Sequence, residues 1–136
     1  MTPHFTLAEL THTDHRSLNN TPNPGELANL KRLAEFLEVV KTTLGGKAVM
    51  INSAFRSKAV NDAVGSKDTS SHRLGLAADF RVPGMTPDAV VRAIIAAKLP
   101  YDQLIREFDA WTHASISDKP RRQALIIDKL GVRPFV

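Results

Sequence analysis

Apolar residues recur every three or four positions in the segment between Asn23-Pro24 and Gly45-Gly46. Asparagine followed by proline is typical of a helix start, and paired glycines are typical of a helix end. The spacing therefore predicts one long helix with a single apolar face. That face comprises Leu27, Leu30, Leu33, Ala34, Leu37, Val40 and Leu44.

Three more helices are predicted from their start signals. Thr6 and Glu9 have the spacing of a capping box, which indicates a short first helix. Ser57 can cap a brief helix that runs through Val64, and Thr86 begins a second long helix. The inward-facing residues of this last helix are Val90, Val91, Ile94 and Ile95.

Strand-like runs fill much of the remaining chain, and a polar loop is expected over residues 66–71. Strands are predicted around 49–51 and over 76–82, 103–108, 111–117 and 123–128. The runs at 103–108 and 111–117 are close enough to form a hairpin. Helices that are segregated from a small, mainly antiparallel sheet indicate an α+β fold with the helices packed on one side.

Composition narrows the chemistry that the chain can perform. Its 136 residues fit a single domain spanning 1–136. The absence of cysteine excludes disulfides, thiolate metal sites and a cysteine nucleophile. A metal would have to be held by carboxylates and by some of the five histidines.

Charge and hydropathy exclude two classes of partner. The net charge of +4 is dispersed, and the basic run at 119–122 reads as a solvated turn, so no nucleic-acid partner is predicted. No segment approaches the roughly 20 apolar residues of a membrane span, so no membrane insertion is predicted. The first residues lack the features of a signal peptide, which predicts synthesis in the cytoplasm.

A histidine and an aspartate stand among small and apolar residues between positions 70 and 79. An aspartate inside an apolar strand is costly to bury without a cation or several hydrogen bonds. Metal ligation by His72 and Asp79 would meet that need. The spacing leaves an alternative equally open, in which a turn histidine precedes a structural aspartate bonded to N–H groups.

A second candidate segment places Trp111 and His113 on one face of a strand. This pair suits the wall of a pocket, although a partly buried tryptophan beside a hydrogen-bonded core histidine is the alternative. Two imidazoles and one carboxylate, with another carboxylate nearby, are the inventory of a catalytic zinc site with an open position. His4, His12 and His15 lie in a polar region and are interpreted as solvated.

Taken together, these segments resemble the zinc D-alanyl-D-alanine carboxypeptidases and related cell-wall endopeptidases, whose superfamily includes lysostaphin-type enzymes and the hedgehog signalling domain. The shared signature is Ser-x-His-x6-Asp from Ser70 to Asp79, followed by Trp-x-His from Trp111 to His113. The segment at 52–57 is similar to the small-aromatic-Arg-Ser motif of that family. The opening Phe-Thr-Leu-x-Glu-Leu and the late Pro-Arg-Arg run resemble its short phage and prophage branch.

The resemblance implies a Zn²⁺ ion on the sheet, held by His72, Asp79 and His113 with water in the fourth position. It also implies that Arg56 steadies the scissile carbonyl as it becomes an oxyanion. An exposed arginine at a loop is the alternative. Ser70 matches a position that binds the peptide substrate in relatives and is otherwise a loop serine, whereas Trp111 is expected to contact substrate.

The expected general base is Glu107, because some relatives carry a glutamate six residues before the last histidine. Other relatives carry the catalytic acid three residues before it, where this chain has Ala110. Asp109 is the second choice. The alternative for Glu107 is a solvated strand glutamate paired with an arginine such as Arg106 or Arg92.

The function implied is that of a zinc metallopeptidase that hydrolyses peptidoglycan stem peptides near D-alanine. It would be either a D-Ala-D-Ala carboxypeptidase or an endolysin-type endopeptidase of the L-Ala-D-Glu kind. The protein is expected to be a monomer that reaches the cell wall after release or as part of a virion. The alternative function is a non-catalytic, zinc-containing module for wall binding or virion structure.

Overall fold

The computed structural model describes residues 1–67 and 70–135. Asp68 and Thr69, which belong to the loop predicted over 66–71, lie outside the described residues, as does Val136. The helices are α1 (Leu7–Leu10), α2 (Pro24–Thr43), α3 (Lys58–Ala63), α4 (Ser71–Leu74) and α5 (Pro87–Ala96). The strands are β1 (Met50–Ser53), β2 (Ala77–Arg81), β3 (Gln103–Glu107), β4 (Trp111–Ser115), β5 (Gln123–Asp128) and β6 (Gly131–Pro134).

The helix starts follow the capping signals in the sequence. Thr6 caps α1, Ser57 caps α3 and Thr86 caps α5, each by accepting a hydrogen bond from a backbone N–H group. Asn23 does the same for α2 and completes a capping box. None of the helices in the described ranges is long and apolar enough to cross a bilayer.

The predicted apolar face of α2 needs two corrections. Leu27 is exposed, because it lies in the first turn of the helix and borders a surface groove with Leu7. Phe36, which was not assigned to that face, is buried in the core.

The strands form one six-stranded sheet with the order β1-β2-β4-β3-β5-β6. Neighbouring strands are antiparallel except for β3 and β5, which are parallel. The predicted hairpin is confirmed as β3–β4, and the mainly antiparallel α+β fold is confirmed with it. The sequence patterns did not predict β6, nor the direction in which β5 runs.

The two faces of the sheet have different roles. Alternate residues such as Phe80, Leu104 and Ala114 share one hydrophobic core with the two long helices, α2 and α5. The residues between them, including Asp79 and His113, lie on the opposite face. The polar candidates therefore occupy the face that the long helices leave uncovered.

Candidate metal centre

Three elements bring His72, Asp79 and His113 together. His72 lies on α4, Asp79 lies in β2, and His113 lies opposite Asp79 in the neighbouring β4. One nitrogen or oxygen atom from each residue falls within 4.8 Å of the other two. All three residues are at most 9% exposed. The predicted polar loop ends one residue earlier than expected, because Ser71 already belongs to α4.

The distances within this cluster fit a tetrahedral metal. His113 Nδ1 lies 2.9 Å from Asp79 Oδ1, and His72 Nε2 lies 3.4 Å from the same oxygen. Metal–ligand bonds of 2.0–2.1 Å place tetrahedral ligand atoms about 3.3 Å apart. Two imidazoles and one carboxylate are also a donor set that zinc prefers in catalytic sites. The residues present therefore fit a zinc ion with one open position.

A backbone carbonyl fixes the orientation of the His72 ring. His72 Nδ1 lies 2.7 Å from the carbonyl oxygen of Ala54, so the protonated Nδ1 donates to that oxygen. In the neutral ring, which is the form that binds a metal, Nε2 carries no proton and can act as a ligand. The sequence motif gave no sign of this second contact, because Ala54 contributes only its backbone.

Asp79 is held in its charged form. Burial raises the pKa of its carboxyl group, but the hydrogen bonds and charges of His113 and His72 outweigh burial and keep the pKa well below its usual range. The Arg56 guanidinium lies 3.6 Å from the second carboxylate oxygen. An ionised carboxylate in a buried setting needs such cationic partners, and a metal ion would provide another.

Arg56 approaches the cluster from the segment after β1. Its backbone N–H donates to the carbonyl oxygen of His72 at 2.9 Å, and its side-chain Nε donates to Ser53 Oγ at 3.4 Å. The side chain is only 17% exposed, so the alternative of an exposed loop arginine is wrong. Asn20 holds this segment by donating to the carbonyl of Phe55 and accepting from the backbone N–H of Ser57. No local signal in the sequence marks Asn20 for this role.

Glu107 lies on the same face of the sheet, directly opposite Trp111. Burial raises its pKa, and the negative charge of Asp79 raises it further, whereas His113, Trp111 and Arg56 oppose the shift. Among the described residues, no group meets strict hydrogen-bond geometry for the Trp111 N–H, but this N–H lies close enough to the Glu107 carboxylate to lower its pKa.

The ion pairs of Glu107 and Asp109 test the alternatives given for these two carboxylates in the sequence analysis. Arg106 and Arg92 both bind Asp88, and Glu107 makes no ion pair within residues 1–67 and 70–135. The alternative, in which Glu107 is a solvated glutamate paired with Arg106 or Arg92, is therefore wrong. Asp109 lies on the turn, where its 70% exposed side chain pairs with Arg106.

Ser70 and Gly75 enclose the short helix that carries His72. Ser70 caps the helix by accepting a hydrogen bond from the His72 N–H at 3.3 Å, so it is more than a loop serine. Gly75 has a φ of +78°, and a Cβ at this position would lie 2.9 Å from the backbone oxygen of Glu26. An ion pair between Arg73 and Glu26 fixes the same helix against α2.

The three histidines of the polar N-terminal region lie apart from this cluster. His4 pairs with Glu38. His12 and His15 border a cavity of about 170 Å³ that reaches Arg56. Among the described residues, the only group of three or more metal-ligating side chains that converges is the one formed by His72, Asp79 and His113.

The chain matches a known protein family. A family model described as Peptidase M15 matches residues 3–115, a range that contains all the candidate site residues. No curated protein matches the chain.

Proposed function

Because the chain belongs to the peptidase M15 family, we propose that it is a zinc-dependent peptidase that hydrolyses peptidoglycan stem peptides near D-alanine. The observation that carries this proposal is the convergence of His72, Asp79 and His113 on one face of the sheet, within 4.8 Å. Arg56 lies 3.6 Å from Asp79, and Glu107 is close enough to the cluster for Asp79 and His113 to act on its pKa.

The three converging residues would hold the metal. His72 through Nε2, His113 through Nδ1 and Asp79 through a carboxylate oxygen supply the ligands. When bound, zinc lowers the pKa of a coordinated water to about 7 and polarises a carbonyl. The Ala54 carbonyl keeps the His72 ring in the orientation that this ligation requires.

Glu107 serves as the general base. It accepts a proton from the attacking water and then passes that proton to the nitrogen of the leaving amine. Its raised pKa suits this exchange, because a more basic carboxylate takes up the proton more readily. Asp109 is less suited to the task, since its carboxylate is exposed and paired with Arg106.

Arg56 stabilises the carbonyl oxygen of the scissile bond as that oxygen gains negative charge. Its guanidinium is always protonated and offers several donors in a fixed plane. The contacts to Ser53 and to the His72 carbonyl hold it beside the metal ligands. Ser70 and Trp111 are the proposed substrate contacts around the same centre.

The cell wall is the proposed place of action. The protein would reach peptidoglycan after release from the cell or as part of a virion, and it would act as a monomer. The net charge of +4 favours contact with an anionic wall.

A metal assay and a cleavage assay on one sample test this proposal. We expect about one zinc per chain and release of fragments from defined muropeptides, measured by mass spectrometry, with both lost after treatment with a chelator. Glu107→Gln should keep its zinc and cleave 10²- to 10⁴-fold more slowly, as expected for loss of a general base. Asp109→Asn is the matched control and should cleave at the wild-type rate.

Two outcomes would contradict the proposal. A zinc-loaded Glu107→Gln protein that cleaves at the wild-type rate would show that another group is the base. A zinc-loaded wild-type protein that binds cell walls without releasing any fragment would favour the non-catalytic module instead.

A further inference from the structure

The side chain of Asn20 connects two parts of the chain that are distant in sequence. Its Nδ2 atom donates to the carbonyl oxygens of Thr11 at 2.8 Å and of Phe55 at 3.1 Å. Its Oδ1 atom accepts from the backbone N–H of Ser57 at 2.7 Å. The peptide groups on both sides of Arg56 are therefore bonded to one carboxamide, which supplies an NH₂ donor and a carbonyl acceptor together.

Two further hydrogen bonds attach the same segment to the N-terminal region. The backbone N–H of Phe55 donates to the carbonyl of Leu10 at 2.9 Å, and the Ser57 hydroxyl donates to the carbonyl of Asn19 at 2.7 Å. Polar groups that are shielded from water are costly to leave unpaired, so these contacts resist displacement of the segment. The backbone at Arg56 is thus held on both sides by the N-terminal region.

The contacts of the Arg56 side chain itself are longer than these. Its Nε atom lies 3.4 Å from Ser53 Oγ, and its Nη2 atom lies 3.6 Å from Asp79 Oδ2. Arg56 also borders the cavity of about 170 Å³ that His12 and His15 line. Long contacts and open space leave the guanidinium room to move, so its position depends on where the backbone places it.

We propose that Asn20 is a positioning residue, which sets the guanidinium of Arg56 at the point where the scissile carbonyl gains negative charge. The proposal rests on the proposed function, in which Arg56 stabilises that oxygen. Asn20 acts through the two peptide groups that flank Arg56 rather than by touching the peptide substrate. A displacement of about 1 Å in such a group can slow a reaction by about 10²-fold.

Asn20→Asp tests this role with almost no change in side-chain shape. The carboxylate keeps the acceptor for the Ser57 N–H, but it loses the NH₂ group and turns a negative oxygen toward the carbonyls of Thr11 and Phe55. We expect kcat for defined muropeptides to fall about ten- to hundredfold. KM should stay within about twofold, because Arg56 acts on charge that develops in the transition state.

Asn19→Asp is the matched control at the neighbouring position. It introduces the same charge, but the Asn19 Oδ1 atom accepts from the N–H of Thr21, and a carboxylate preserves that bond. Its kcat should equal that of the wild type. Asn20→Ala removes the side-chain bonds without adding a charge, and it replaces Asn20→Asp in the comparison if the latter does not fold.

An Arg56→Ala background separates positioning from a general loss of structure. Arg56→Ala should lower kcat by about 10²- to 10³-fold, as expected for loss of a group that stabilises an oxyanion. Adding Asn20→Asp should then lower kcat by less than about twofold, because the group that Asn20 positions is absent. A residue with a merely structural role would lower kcat by the same factor in both backgrounds.

NMR of the purified protein without peptide gives a readout that needs no turnover. The Arg56 Nε–H donates to Ser53 and should give a separate ¹H–¹⁵N signal, which is assigned by its loss in Arg56→Ala. In Asn20→Asp this signal should move toward the position of exposed arginines. In Asn19→Asp it should stay in place.

Three results would overturn the inference. They are a wild-type kcat in Asn20→Asp, an equal fall in kcat with and without Arg56, and an Arg56 Nε–H signal that does not respond to Asn20→Asp. Failure of the proposed function is distinct from these results. In that case the wild-type protein cleaves no muropeptide, although the Arg56 signal still moves in Asn20→Asp.

Discussion

Among single residues, Gly75 shows how the backbone near a proposed metal ligand can restrict which residue type a position accepts. It ends the short helix that carries His72, and its left-handed φ of +78° disfavours any side chain. The added constraint is contact with α2, because a Cβ would lie 2.9 Å from the Glu26 carbonyl oxygen. That oxygen belongs to the helix backbone and cannot move aside without disturbing the helix.

Gly75→Ala should therefore destabilise the protein and weaken zinc binding. We expect a loss of about 2–4 kcal/mol in the free energy of unfolding, from backbone strain and overpacking together. Urea unfolding followed by Trp111 fluorescence measures the loss, and a zinc titration measures the affinity. Gly65→Ala is the control, since Gly65 has a similar φ of +73° but open space around its Cβ position. Equal losses in the two variants would show that the contact with Glu26 is unimportant.

The resemblance of the sequence motifs to a known peptidase family predicted the three proposed ligands and Glu107, whereas spacing alone left the roles of His72 and Asp79 open. It did not predict the residues that hold them in place. Asn20 and the Ala54 carbonyl act across long sequence separations. Asparagine and alanine are common in any loop, so only the folded structure shows that these two residues support the site.

Among the secondary-structure elements, the start of β3 is a junction built around Asp102. The carboxylate of this buried residue accepts three hydrogen bonds from Arg121, at 2.9, 3.0 and 2.9 Å. Its backbone N–H donates to the Ser115 carbonyl, and its own carbonyl accepts from the N–H of Gln123. One residue thus joins the end of β4, the start of β3 and the start of β5.

Asp102→Asn should weaken this junction in a pH-dependent way. Hydrogen bonds from Arg121 lower the pKa of Asp102 in the folded state, despite its burial. Because the pKa is lowered, ionised Asp102 stabilises the fold at pH values above its unfolded-state pKa of about 3.9. This stabilisation is lost as the pH falls through the folded-state pKa. We expect the variant to be about 1–3 kcal/mol less stable at pH 7, and the difference to shrink below about pH 4.

Urea unfolding of both proteins at several pH values checks this expectation. Asp118→Asn is the control, because Asp118 forms an exposed ion pair with Arg32, and such pairs contribute little. A difference between the wild type and Asp102→Asn that stays constant down to pH 3 would contradict the assignment.

Helix ends were predictable because capping is local, as at Thr6, Asn23 and Thr86. The direction of β5 was not predictable in this way. The strand β5 begins beside the start of β3, where the Gln123 N–H donates to the Asp102 carbonyl, and from there the two strands run parallel. A period-2 pattern identifies a strand but contains no information about its neighbour.

For the whole molecule, the proposed metal ligands belong to three separate elements, α4, β2 and β4. Zinc binding would therefore join parts of the chain that are distant in sequence. Binding to the folded state alone should stabilise it by about 4 kcal/mol when free zinc is 1,000 times the Kd. Thermal unfolding with zinc and with a chelator measures this increment.

Two histidine variants make this measurement specific. His113→Ala should abolish the increment, because it removes a proposed ligand. His12→Ala should retain the increment, because His12 borders the separate cavity near Arg56. The same increment in both variants would place zinc elsewhere.

The family match ends at residue 115, whereas β5 and β6 follow that point and lie on the outer side of β3. The proposed ligands, Arg56 and Glu107 all precede it. The β5–β6 hairpin also borders a groove of about 540 Å³ beside Phe108. Substitutions at the tip of this hairpin can therefore reshape that groove without altering any residue that would hold the metal.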